Sequence, residues 1–198
     1  MSLKRKFVVI GVLALTLALT AGAAWAAPSK KELDRMGIFL SNFTEVGLFD
    51  IDAKTIDPDE LVRFGIWHNY INNKKLIGRC KDKNCEWGES TVSAQSVAAS
   101  VQKYFDMKLK HHSVDNSDVR AHYDGKLYHF GAADGGVIYY AEVQEVDYEG
   151  NNTLRMTGEI YNLRDKKERP ATFTALAKPH KWNKKDTWAI LSMTTEWR

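Results

Sequence analysis

The sequence predicts an α+β fold, with about three N-terminal helices packed on a curved antiparallel meander of four to five strands. Three observations carry the prediction. Two helix-start signals, Ser29-Lys30-Lys31-Glu32 and Asp57-Pro58-Asp59-Glu60, each precede apolar residues at helical spacing. After Phe105 the apolar period shortens from about 3.6 to 2. Turn residues then separate the alternating runs, which makes consecutive strands antiparallel neighbours.

The first helix is expected from about Lys30 to Phe43. Ser29 and Glu32 form a capping box, and Leu33, Met36, Phe39, Leu40 and Phe43 make one broad apolar face. The second starts with Asp57 as N-cap and Pro58 at the first helical position, and ends near Asn72-Asn73. It carries Leu61, Phe64, Trp67, His68 and Ile71 on one side, with Ile66 and Tyr70 towards the other. A helix apolar on two sides is sandwiched between other elements. Residues 76–90 read as an irregular or short hairpin segment around the cysteines. The third helix covers roughly Ser93 to Phe105, with Val97, Val101, Tyr104 and Phe105 as its apolar residues.

The strands follow. Lys126 to Phe130 is short. Asp134-Gly135-Gly136 is a turn. Val137 to Asp147 is a long strand, turned back by Glu149-Gly150-Asn151-Asn152. Leu154, Met156 and Ile160 alternate with Arg155, Thr157 and Glu159, as in a half-buried strand. Phe173, Ala175 and Ala177 repeat that pattern. Thr187 to Trp197 closes the chain, with Leu191 and Met193 expected on one side.

The segment before these elements reads as an address. Lys4-Arg5-Lys6 is a positive n-region, Phe7 to Ala21 an apolar run, and Ala24-Trp25-Ala26 a small-x-small cleavage site. That is the pattern of a secretory signal peptide over residues 1–26, leaving 27–198 as one mature α+β domain. A membrane anchor needs about 20 apolar residues. This run approaches that length but is rich in Ala, Thr and Gly and ends in a cleavage triplet. No Cys follows it to accept a lipid, and no second long apolar stretch exists, so no membrane span is expected after cleavage. The expected location is periplasmic or extracellular.

Export changes the charge argument. The chain has 28 Lys+Arg against 25 Asp+Glu, and the leader holds three of the basic residues and no acidic one. The mature domain is therefore formally neutral, which gives no support to nucleic-acid binding. Cys80 and Cys85 are the two cysteines. In an oxidising compartment a disulfide between them is expected, closing a small polar loop. Zinc would need two further ligands, and no CxxC or HxxxH pair supplies them.

Sites of chemistry are few. His68 projects with the apolar stripe of the second helix, where an imidazole needs a bonded partner or a cavity. His111, His112, His122 and His129 cluster in sequence, but no carboxylate sits at ligand spacing, so neither a metal nor a cofactor is expected. Tyr140 and Glu142 share one face of a strand, and Glu159 on the next strand is a second carboxylate whose register the sequence leaves open. Ser100-Val101-Gln102-Lys103 matches a short Ser-x-x-Lys pattern without the companion motifs that make it catalytic. The basic turns 164–169 and 178–185 read as solvated loops.

The order of elements from Ser29 to Trp197 resembles the NTF2-like and cystatin-like α+β folds, in which helices fill the concave side of a bent sheet. Phe39-Leu40-Ser41-Asn42-Phe43 and Phe64-Gly65-Ile66-Trp67-His68-Asn69-Tyr70 resemble segments of uncharacterised exported bacterial proteins. The NTF2-like resemblance implies a cone-shaped cavity that binds, catalyses or mediates dimers.

The leading expectation is a non-catalytic module that binds a small ligand or an envelope protein in a helix–sheet cleft. Its lining would be His68, Trp67 and Tyr70 from the second helix with Tyr140 and Glu142 from the sheet. A hydrolase or isomerase pairing His68 with a sheet carboxylate is the alternative, and a homodimer formed through an exposed sheet face is the third.

Overall fold

The computed structural model describes residues 27–81, 85–116, 120–132 and 138–198; the expected leader (1–26), the expected turn at 134–136 and Val137 lie outside them. Three helices appear where the start signals place them: α1 (Lys30–Thr44), α2 (Pro58–Asn72) and α3 (Ala94–Phe105). Each has a side-chain cap. Ser29 and Glu32 close the capping box of α1, Asp57 accepts the Asp59 amide, and Ser93 accepts the Ser96 amide.

The sheet expectation needs correction. The strands form two five-stranded antiparallel sheets rather than one meander. The large sheet contains β1 (Ile51–Asp52), β7 (Tyr139–Glu149), β8 (Thr153–Asn162), β9 (Ala171–Trp182) and β10 (Lys185–Trp197), in the order β1-β10-β9-β8-β7. Its four long strands are the predicted meander. The small sheet contains β2 (Gly78–Arg79), β3 (Ser90–Ser93), β4 (Val114–Asp115), β5 (Arg120–Tyr123) and β6 (Leu127–Phe130), in the order β2-β3-β6-β5-β4. The Leu127–Phe130 strand therefore pairs with β3 and β5 and never joins the meander. Strands of two to four residues are too short to show a period, so the expected hairpin segment over 76–90 and the short strand near 126–130 could not be recognised as parts of a separate sheet.

The register of β10 is a second correction. A bulge at Leu191 inserts one residue, so Ile190 and Met193, not Leu191 and Met193, turn inward. The other alternations hold: Leu154, Met156 and Ile160 on β8, and Phe173, Ala175 and Ala177 on β9, are buried.

Two apolar cores result. The first joins the large sheet to Met36, Phe39, Leu40 and Phe43 of α1, Leu61 and Phe64 of α2, and Val101, Tyr104 and Phe105 of α3. The second joins the small sheet to Val62 and Ile66 of α2 and Ala94 and Val97 of α3. Helices α2 and α3 thus serve both sheets, which is why α2 is apolar on two sides. They meet closely at Gly65, where a Cβ would lie 2.6 Å from a Val97 methyl carbon and 2.9 Å from its carbonyl oxygen. The Cys80 and Cys85 sulfurs are bonded, with the Cα atoms 6.3 Å apart, beside the edge strand β2. Among the described residues no helix is long and apolar enough to cross a membrane.

Candidate functional site

Helix α1 has three working sides. Its apolar stripe enters the first core. A second side, built from small residues, grips the edge strand β7. The Ala141 amide donates to Ser41 Oγ at 3.0 Å, and Thr44 Oγ1 donates to the Tyr139 carbonyl at 2.7 Å. Gly37 allows this approach, because a Cβ there would stand 2.9 Å from the Ala141 oxygen. The helix thereby covers strand-edge groups that would otherwise invite pairing with another chain. The third side, Asp34, Ile38, Asn42 and Glu45, borders a cleft of about 560 Å³ between α1 and β7.

Tyr140, Glu142 and Tyr161 form the sheet wall of this cleft, with Lys166 and Arg169 from the β8–β9 turn and Asn72 from the end of α2. Glu45 sits at the C-cap of α1, partly buried, and accepts a hydrogen bond from Asn72 Nδ2. Burial pushes its carboxyl up to about 7, because a charged carboxylate is costly away from water. The Tyr140 phenol is raised as well, first by burial and then by the nearby Glu45 and Tyr161. Tyr140 and Tyr161 are directly opposed across β7 and β8, edge to face, with centroids 6.1 Å apart. The Arg169 guanidinium lies 5.8 Å from the Tyr161 ring centroid.

Of the five residues expected to line a cleft, Tyr140 and Glu142 line this one. The helical wall is α1, however, and α2 contributes only its end. Trp67 and Tyr70 lie edge to face 5.5 Å apart and pack on Phe130, at 6.0 and 6.1 Å, beside the small sheet. His68 is buried among the three helices and stacks on Phe64 at 5.6 Å. The expectation that joined Trp67, His68 and Tyr70 in one cleft, although Tyr70 projects towards the other side of α2, overlooked a second sheet for α2 to serve.

His68 belongs to a polar seam. Its Nε2 is 3.1 Å from Asn42 Oδ1 and its Nδ1 is 3.1 Å from Ser100 Oγ. Asn42 spends its Nδ2 on the Ile38 carbonyl at 2.6 Å, so Oδ1 accepts, both from His68 and from the Tyr104 hydroxyl at 3.0 Å. Nε2 therefore carries the proton, and Nδ1 accepts from Ser100. Burial, then the charge of Lys103, lowers the imidazole to about 4, so it is neutral at pH 7. Ser100, His68 and Asn42 share the order of a catalytic triad. A nucleophile must meet its substrate, though, and Ser100 is buried and outside the cleft, where it accepts from Asn69 Nδ2 at 2.9 Å. The seam ties α1, α2 and α3 together, and Asn42 is its one member that reaches the cleft.

The two sheet carboxylates, Glu142 and Glu159, are cross-strand partners. Arg169 bridges both, with Nη1 3.2 Å from Glu159, and Arg198 Nη2 lies 2.9 Å from the other Glu159 oxygen. Cations on both sides make this an ion-pair network rather than an acid–base dyad. On the small sheet, His122 and His129 face each other across β5 and β6, Trp87 stacks on His122 at 5.6 Å, and Asp124 holds His129 at 2.9 Å. Among the described residues no three metal-ligating side chains converge.

Sequence reasoning missed Glu45, Asn42, Asn72, Tyr161 and Arg169. A signal existed for the helix side: Ile38, Asn42 and Glu45 stand at i, i+4 and i+7, one stripe left over once the apolar face is assigned. The others come from distant turns and a strand register. Comparison with known proteins returned no match to this chain among protein-family profiles, curated proteins or solved structures.

Proposed function

We propose that this chain is an exported, non-catalytic binding module whose ligand site is the cleft between α1 and β7. One observation carries the reading: a partly buried carboxylate, Glu45, sits in a sizeable cleft beside Tyr140, partnered by the neutral Asn72 amide. A perturbed titratable group in a concave site marks a functional candidate. Export accords with the leader pattern and with the Cys80–Cys85 bond, since disulfides persist in oxidising compartments. An enzyme working through His68 has less support, because both ring nitrogens are taken up by Ser100 and Asn42 and neither partner is a carboxylate.

Amide chemical-shift mapping of the mature chain against fractionated small-molecule extracts tests this. The expected result is saturable shifts at residues 37–45, 140–143 and 161, abolished in Tyr140→Ala. Shifts confined to another surface, or no shift with any fraction, overturn it.

A further inference from the structure

We infer that the α1–β7 cleft takes a small molecule bearing a primary ammonium group, held by the Glu45 carboxylate with Tyr140 beside it. The inference rests on the binding reading above and adds the chemical class of the ligand.

Glu45 carries a charge that no cation among the described residues balances. Among the described residues no Lys, Arg or His lies within ion-pair distance of Glu45, although eleven such contacts occur elsewhere. Its hydrogen-bond donor is the Asn72 amide. The two titratable groups that its charge reaches are phenols, Tyr104 and Tyr140, while the acidic Asp34 and Glu142 line the same cleft. Tyr104 from α3 is held well above its usual range by burial and by Glu45 itself, and Tyr140 from β7 is raised for the same reasons. Lys103, the nearest cation on α3, donates to Tyr104 Oη at 2.9 Å instead. A carboxylate taken from water without a counter-charge is stabilised by any cation that reaches it.

The other cations of the cleft do not fill that role. Arg169 is engaged by Glu142 and Glu159. Lys30 and Lys166 are exposed. An anionic ligand at this end of the cleft would meet Glu45 and gain nothing from Arg169, which is already neutralised. An ammonium group instead finds a carboxylate and a phenol oxygen as acceptors for its three N–H donors, and an aromatic ring to lie against. Charge linkage sharpens the case. Near neutrality Glu45 is partly protonated, and a bound cation favours the ionised form. Binding therefore releases a proton near pH 7 and tightens as pH rises, levelling off once the carboxyl is fully ionised.

The test titrates butylammonium, 1-butanol and butyrate into the mature protein, followed by amide shifts and by calorimetry in two buffers of different ionisation enthalpy. Butylammonium alone is expected to shift the cleft amides saturably, with proton release at pH 7 that vanishes at pH 9. Glu45→Gln should weaken it at least tenfold at pH 8, and Tyr140→Leu several-fold, while circular dichroism shows both variants folded. Equal binding of 1-butanol or butyrate, or undiminished binding by Glu45→Gln, overturns the ammonium assignment. If extract fractions shift the cleft amides and butylammonium does not, the ligand class is wrong and the binding reading stands. If neither shifts them, both fall.

Discussion

The large sheet is built, apart from β1, of strands 10 to 13 residues long; no strand of the small sheet exceeds four. The long strands carry their own inward face, with Leu154, Met156, Ile160 and Phe173 alternating against polar neighbours. The short ones cannot. They are held by what lies above them, Val62 and Ile66 of α2 and Val97 of α3, and by the disulfide beside β2. The difference shows how one helical layer supports two sheets of unequal strength. It also explains where the cleft lies. The large sheet ends in a long edge strand, β7, and α1 covers that edge with short polar side chains, leaving a groove along the junction.

The comparison breaks most severely at the shared layer. Phe64 is fully buried and meets Phe43, Tyr104, Phe105 and His68 in ring contacts of 5.1–5.6 Å. Phe64→Ala should cost about 3–5 kcal/mol in urea unfolding. If the two sheets form one cooperative unit, far-ultraviolet dichroism and tryptophan fluorescence will shift together; separate transitions would show two units.

Removal of the disulfide tests the weaker sheet. Cys80 and Cys85 are five apart in sequence, so the closed loop is short and Cys80→Ser with Cys85→Ser should cost about 2 kcal/mol. Hydrogen exchange should accelerate in β2 and β3 and remain unchanged in β8 and β9. Equal acceleration in both sheets would erase the distinction drawn between them.

Glu45→Gln has a pH signature. The folded-state carboxyl is raised from 4.5 to about 7, so the native state binds the proton more tightly than the unfolded chain does. The wild-type protein therefore loses stability as pH rises from 4.5 to about 7 and then levels off. The glutamine variant escapes that loss. It should match the wild type near pH 4 and exceed it by about 1–2 kcal/mol at pH 8, after discounting for residual solvent. A constant difference across that range would show that burial does not govern Glu45.

Arg169→Ala should have the smallest effect, under about 1 kcal/mol, because Arg169 and its partners Glu142 and Glu159 all keep contact with solvent, which screens the ion pairs. A larger loss would mean that this network contributes more than screened ion pairs.

Much of this was legible from local pattern. Ser29, Asp57 and Ser93 fix their helices through bonds within one turn, so their caps could be read from neighbouring residues. The place of His68 on an apolar stripe announced its need for a bonded partner or a cavity, but not that Asn42 and Ser100 supply the partners and keep it out of the cleft. The cleft was legible only in halves. Tyr140 and Glu142 could be placed on one face of a strand, but their meeting with Glu45 depends on which helix covers the β7 edge. Trp67 and Tyr70 were misplaced because nothing in the two-residue strands at 78–79 and 114–115 announced a second sheet for them to face.

Periodicity, capping residues and cysteine spacing determined the helices, the long strands and the disulfide, because each depends on contacts within a few residues along the chain. The split into two sheets, the His68–Asn42–Ser100 seam and the partly buried Glu45 were decided by the tertiary structure. Those features arise from side chains 26 to 32 residues apart along the seam, and about 100 apart where α1 meets β7. Their partners are selected by packing volume and by the need to satisfy buried polar groups, neither of which leaves a local mark in sequence.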